Sequence, residues 1–90
     1  MTQPSSECTV ALPPNVNLHA RPAAEIARVA LGFESEIGVG VDGRWSDAKS
    51  ALTMLTLGAT GGSTVKLRAG GPDAAEALEK LSATIEALAG

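Results

Sequence analysis

The 90-residue chain has almost no aromatic side chains: Phe33 and Trp45 are the whole set, and tyrosine is absent. A protein that stacks nucleobases needs aromatic platforms and a basic surface. Seven basic residues against ten acidic ones, a formal charge of −3 and a pI near 4.9 argue against nucleic acid as a partner. Cysteine occurs once, at Cys8, so no internal disulfide can form, and a reducing, cytoplasmic compartment is expected. Histidine also occurs once, at His19. No Cys/His cluster can therefore hold zinc, and neither a metal nor a cofactor is expected. No stretch approaches the roughly 20 apolar residues of a membrane helix, so no membrane insertion is expected. Met1 to Glu7 has neither the positive charge nor the apolar run of a signal peptide.

What is present fits one small globular domain, residues 1–90: 44% apolar residues can form a core, and 19% charged residues is too few for a disordered chain. Met1 to Ser6 reads as a poorly tied start. Cys8, Val10 and Leu12 alternate with Thr9 and Ala11, the period of a strand, which Pro13-Pro14 ends. Ala20 to Leu31 reads as a helix, because Ala23, Ile26, Ala27 and Ala30 fall on one stripe; Gly32 follows as a left-handed cap. Ile37, Val39 and Val41 form a second strand. Asp42-Gly43 is a hairpin signal, and Arg44 to Ser46 is the third strand. Asp47 to Leu57 predicts a short helix with Asp47 as N-cap and Gly58 as stop. Thr64 to Ala69 is the fourth strand, and a last helix opens with Pro72 in its first turn. A hairpin forces antiparallel pairing, and each strand has one apolar side. The expected fold is α+β: an open-faced sandwich, in the order β-α-β-β-α-β-α, with a four-stranded antiparallel sheet and three helices on one face.

His19 falls at the N-cap of the first helix. A helix start leaves backbone N–H groups unpaired and carries partial positive charge, which suits a phosphoryl group. Arg21 adds a permanent charge that can fork onto phosphate oxygens. Histidine titrates near neutrality, with an ordinary pKa of about 6.5, so its ring is available as a nucleophile at cell pH. Pro22 pre-sets the first turn, Ala20 contributes an amide, and Asn17 precedes the motif at a turn where a positive φ is expected, which asparagine tolerates. From the residues alone, a helix-capping histidine beside a solvated arginine fits equally well. No second histidine, catalytic serine pair or carboxylate dyad is apparent, so a relay of a group between proteins fits better than a complete enzymatic cycle.

Leu18-His19-Ala20-Arg21-Pro22-Ala23-Ala24 resembles the active-site segment of HPr, the histidine-containing phosphocarrier family of the bacterial phosphoenolpyruvate:sugar phosphotransferase system (PTS). Ala48-Lys49-Ser50 through Leu57-Gly58 resembles that family's regulatory-serine segment and short second helix. The resemblance spans about residues 7 to 89. It implies that His19 takes a phosphoryl group on Nδ1 from enzyme I and passes it to a sugar-specific enzyme IIA, with Arg21 stabilising it. It also implies a monomer without enzymatic turnover of its own. Ser50 falls where some bacteria phosphorylate a regulatory serine, which would add a serine kinase and transcription regulators as partners. Two positions depart from the pattern: Asn17 stands where glycine is usual, and Ala51 stands where a large aliphatic is usual, which weakens kinase recognition of Ser50. The resemblance places a docking patch on Ala51, Leu52 and Leu55, with Met54 and Leu57 inward and Lys49 and Arg28 as a basic rim. Helical spacing alone is compatible with Leu52 and Leu55 as core. An HPr-like regulatory docking module that signals through His19 or Ser50, or an interaction protein without phosphochemistry, are the other readings.

Overall fold

The computed structural model describes residues 5–89. Its elements are β1 (Ser5–Ala11), α1 (Ala20–Ala30), β2 (Glu36–Val41), β3 (Arg44–Asp47), α2 (Ala51–Met54) with a 3-10 turn at Leu55–Leu57, β4 (Thr64–Gly70) and α3 (Ala74–Glu86). One sheet runs in the order β1-β4-β2-β3, and every neighbouring pair is antiparallel. The helices cover one face, giving the open-faced sandwich that the pattern of elements predicts.

The sheet's two faces follow from period-two patterning. In β4, Val65, Leu67 and Ala69 are buried while Lys66 and Arg68 are exposed. The inward set meets Val10 of β1, Ile37 and Val39 of β2, the α1 stripe Ala23, Ile26, Ala27 and Ala30, and the α3 stripe Ala77, Leu78, Leu81 and Ile85. Each buried leucine or isoleucine contributes roughly 1.5–3 kcal/mol. Asp42 and Gly43 both take positive φ, at 52° and 81°, as a tight primed hairpin turn requires.

Several boundaries differ from expectation for identifiable reasons. The first strand begins at Ser5, not after Ser6, because Ser5 and Ser6 pair with Gly70 and Ala69; Met1 to Pro4 lie outside the described residues. Gly32 lacks the expected left-handed cap: α1 ends in a right-handed Leu31, and the amides of Gly32 and Phe33 bond to the carbonyls of Val29 and Ala30. Asp47 is not the α2 cap. It stays in the ladder opposite Gly38, and the Ala48 amide still bonds to the Ile37 carbonyl at 2.9 Å. Ser50 caps α2 instead, its Oγ accepting from the Thr53 amide, and the helix tightens to a 3-10 turn that Gly58 stops at φ 65° as expected. Pro72 lies just ahead of the α3 cap, Asp73. The Asp73 side chain makes no capping bond to its own helix. Its carboxylate accepts from the Glu34 and Ser35 amides at 2.9 Å and from the Ser35 hydroxyl, fastening the α1–β2 loop to the start of α3. The Ser35 hydroxyl first, then the Glu34 amide, hold the Asp73 carboxyl below the usual carboxylate range.

On the open face, Trp45 lies flat over β2. A Cβ at Gly40 would sit 2.9 Å from two ring carbons of Trp45, so a side chain there has no room. The Arg68 guanidinium stands 4.1 Å from the ring centroid and also pairs with Glu7 at 3.2 Å. Trp45 is thus a partly exposed packing residue, and the alternating glycines of β2 are its seat.

Candidate functional site

The segment before α1 is held from two sides. Val16 and Leu18 are buried as apolar anchors. The Leu18 amide bonds to the Ala59 carbonyl at 3.0 Å, and the Gly61 amide donates to Asn17 Oδ1 at 2.8 Å. Gly61 has no room for a side chain, because a Cβ there would strike the Pro14 carbonyl. The loop after the 3-10 turn and the loop before α1 therefore touch backbone to backbone. The signal for this strap is the Gly61-Gly62 pair in the turn before β4, whose distant partner nothing local identifies.

Asn17 does not take the expected positive φ; among the described non-glycine residues only Asp42 does. Its carbonyl accepts from the His19 amide at 2.8 Å, and its side-chain amide group serves the Gly61 bond.

His19 occupies the N-cap of α1 with extended backbone, φ −86° and ψ −174°. Its carbonyl accepts from the Ala23 amide at 3.0 Å. Its imidazole makes no capping hydrogen bond and is exposed. The amides of Ala20 and Arg21 are first-turn donors with no intrahelical acceptor, and Pro22, which is buried, has no donor to satisfy. No acidic residue stands in the first turn to compete for them. The Arg21 side chain is exposed and forms no ion pair among the described residues. An imidazole, two backbone donors and an unpaired guanidinium thus share one helix start, where partial positive charge favours an anion.

α2 contacts α1. Met54 and Leu57 point into the core at 0% and 3% exposure, while Leu52 is 76% and Leu55 38% exposed. Ala51 is half-buried against the core. The Ser50 hydroxyl is half-buried in its capping role. The basic rim is less available than its sequence implies: Lys49 Nζ donates to the Phe33 carbonyl at 2.8 Å, and Arg28 pairs with Glu25 at 2.7 Å. Among the described residues no group of three or more metal-ligating side chains gathers, and no helix is long and apolar enough to cross a membrane.

The family model described as the PTS HPr component phosphorylation site matches residues 6–87. The phosphocarrier protein HPr of Vibrio cholerae is 41% identical over 71 residues, covering 79% of this chain and 84% of the relative. A multiphosphoryl transfer protein of Xanthomonas campestris is 38% identical over 82 residues, 91% of this chain but 10% of that much longer protein. The crystal structure of HPr from Bacillus anthracis superposes with a TM-score of 0.85 at 33% identity, covering 91% of this chain and 98% of that one. The chain therefore belongs to the HPr family, the phosphocarrier proteins of the phosphotransferase system.

Proposed function

We propose that His19 is the phosphoryl acceptor, loaded by phospho-enzyme I and unloaded onto a sugar-specific enzyme IIA in the cytoplasm. The observation that carries this reading is the exposed imidazole at the α1 start, without a hydrogen bond of its own, beside free amides and the unpaired Arg21. The Nδ1 lone pair attacks phosphorus as the bond from phosphorus to the donor's nitrogen breaks, and the reverse exchange delivers the group to the acceptor. The amides of Ala20 and Arg21 and the Arg21 guanidinium hold the phosphoryl oxygens. Asn17 and Pro22 fix the backbone that aims them. Ala51, Leu52 and Leu55 supply an apolar docking patch, with Arg28 and Lys49 at its edge. The interface is small and exchangeable, as a carrier acting as a monomer needs. Ser50 is the regulatory position: a phosphoryl group there adds negative charge next to the patch and repels acidic partners.

The test is incubation of the purified chain with phosphoenolpyruvate and enzyme I, followed by intact-mass measurement. One acid-labile phosphoryl group is expected, lost in His19→Ala and transferred onward when enzyme IIA is added. An intact protein that gains no mass, or a His19→Ala variant that still gains it, refutes the assignment.

A further inference from the structure

His19 is held through its backbone alone. Its amide closes a three-residue turn onto the Asn17 carbonyl at 2.8 Å, its carbonyl accepts from the Ala23 amide at 3.0 Å, and its imidazole makes no capping bond. One side of the residue is therefore set by α1, and the other by the turn Asn17-Leu18-His19. Both residues that lead into His19 end on the strap after α2. The Leu18 amide bonds to the Ala59 carbonyl at 3.0 Å, and the Gly61 amide donates to Asn17 Oδ1 at 2.8 Å. The strap is fixed at its root as well, where the Arg44 side chain donates to the Leu57 carbonyl at 3.0 Å. Its two adjacent glycines differ in what they meet. A Cβ at Gly61 would strike the carbonyl of Pro14 and come within 3.3 Å of the Pro13 oxygen. Gly62 has φ 82°, and a Cβ there would meet nothing within 4 Å.

We propose that Gly61 is a positioning residue for phosphoryl transfer, acting through the side chain of Asn17 on the backbone of His19. The inference rests on the His19 reading above and adds to it a residue remote in sequence. A ring with no hydrogen bond to orient it is aimed only as well as the Cα–Cβ bond that carries it. The direction of that bond depends on where Asn17 and Leu18 are held. Glycine at position 61 lets the strap come close enough for its amide to reach Asn17 Oδ1, an approach that any side chain would block. In-line attack on phosphorus tolerates little error, and a misplacement of about 1 Å can cost about 100-fold in rate. Loosening the Gly61–Asn17 bond should therefore slow the transfer step and leave partner affinity in place.

The experiment compares Gly61→Ala with Gly62→Ala in the full chain. Alanine is strained at both places, by collision at 61 and by the left-handed backbone at 62, so both variants should lower the urea midpoint. Asn17→Ala, which deletes the acceptor without adding bulk, accompanies them. In the unphosphorylated protein, Gly61→Ala and Asn17→Ala should move the backbone amide resonances of His19 and Ala20, and Gly62→Ala should not. In single-turnover transfer from phospho-enzyme I, the same two variants should lower the saturating rate by roughly 10- to 100-fold, with the half-saturating concentration within about twofold of the parent. Gly62→Ala should keep the parent's rate. If Gly61→Ala does not fold, Asn17→Ala against Gly62→Ala carries the comparison. A parent-like rate in Asn17→Ala would overturn the proposal while the carrier reading stands. So would an equal rate loss in Gly62→Ala, since general loosening of the strap would then suffice. A parent that accepts no phosphoryl group would refute the His19 reading and the proposal with it.

Discussion

Leu52 and Met54 stand two residues apart in α2, and their substitution should separate docking from folding. Met54 is fully buried, so Met54→Ala removes a core side chain and leaves a cavity, at a cost of about 2–5 kcal/mol. For a domain of this size each kcal/mol moves Tm by about 4–8 °C, so a loss of at least about 8 °C is expected. Leu52 is 76% exposed, so about a quarter of its side chain is out of water. Full burial of leucine contributes about 1.5–3 kcal/mol, which puts roughly 0.4–0.7 kcal/mol at stake in Leu52→Ala and a Tm loss under about 6 °C. The exposed three-quarters is the part a partner would cover, amounting to roughly 1.1–2.3 kcal/mol. Leu52→Ala should therefore raise the KM for the chain in enzyme I-dependent transfer by roughly 5- to 50-fold. The assays are thermal unfolding followed by circular dichroism and a phosphoryl-transfer titration. Equal stability losses in the two variants would mean that Leu52 is seated in the core; an unchanged KM in Leu52→Ala would remove it from the docking face.

Arg21→Ala should slow phosphoryl transfer by roughly 10- to 100-fold, the value of a charge-assisted contact, with Tm within about 2 °C of the parent; a large stability loss would show Arg21 to be a structural residue. Asn17→Gly should lower stability by about 1 kcal/mol in urea titration, because it deletes the bond to the Gly61 amide and frees the backbone, whereas a gain would show that Asn17 is strained after all. Gly40→Val should shift Trp45 emission to the red and lower the urea midpoint, although valine is the better strand former, because its Cβ takes the space of the ring. The Asp73 carboxyl is held below its ordinary pKa, so its contribution is complete above the unfolded-chain value and disappears as pH falls through the folded one; the urea midpoint of the parent should drop more steeply than that of Asp73→Asn below about pH 4, and parallel curves would exclude the linkage.

The elements that a single sequence window can describe were legible. The α1 stripe, the β4 alternation and the Asp42-Gly43 turn each depend on residues a few positions apart, and the structure has all three. What escaped depends on partners distant in sequence. The expected cap at Asp47 failed because the β2 ladder, not local propensity, decides where that residue goes. Asp73 reads as an ordinary helix start, yet its carboxylate serves the Glu34–Ser35 loop. Asn17 reads as a substitute for glycine in a left-handed turn, and its Gly61 bond is invisible without the fold. Nothing local to Gly38 and Gly40 shows that Trp45 lies against them. At the site, the positions of His19 and Arg21 were legible because a helix start is a local feature.

The side chains at the α1 start and on α2 divide by whether the fold uses them. Asn17, Lys49 and Ser50 each satisfy an internal group: an amide, a carbonyl, a helix end. The imidazole of His19, the guanidinium of Arg21 and most of Leu52 serve none that the described residues present. A buried polar group must be paired or it costs stability, whereas an exposed unpaired one costs little, so a fold can leave such groups free for a partner. A carrier that exchanges its cargo repeatedly benefits from this division, because docking and release need break none of the bonds that hold the domain together. On the proposed docking face, Lys49 would have to release the Phe33 carbonyl, and Arg28 to exchange Glu25 for a partner's carboxylate. Those costs make both weaker candidates for docking than Arg21, whose guanidinium has no ion-pair partner among the described residues.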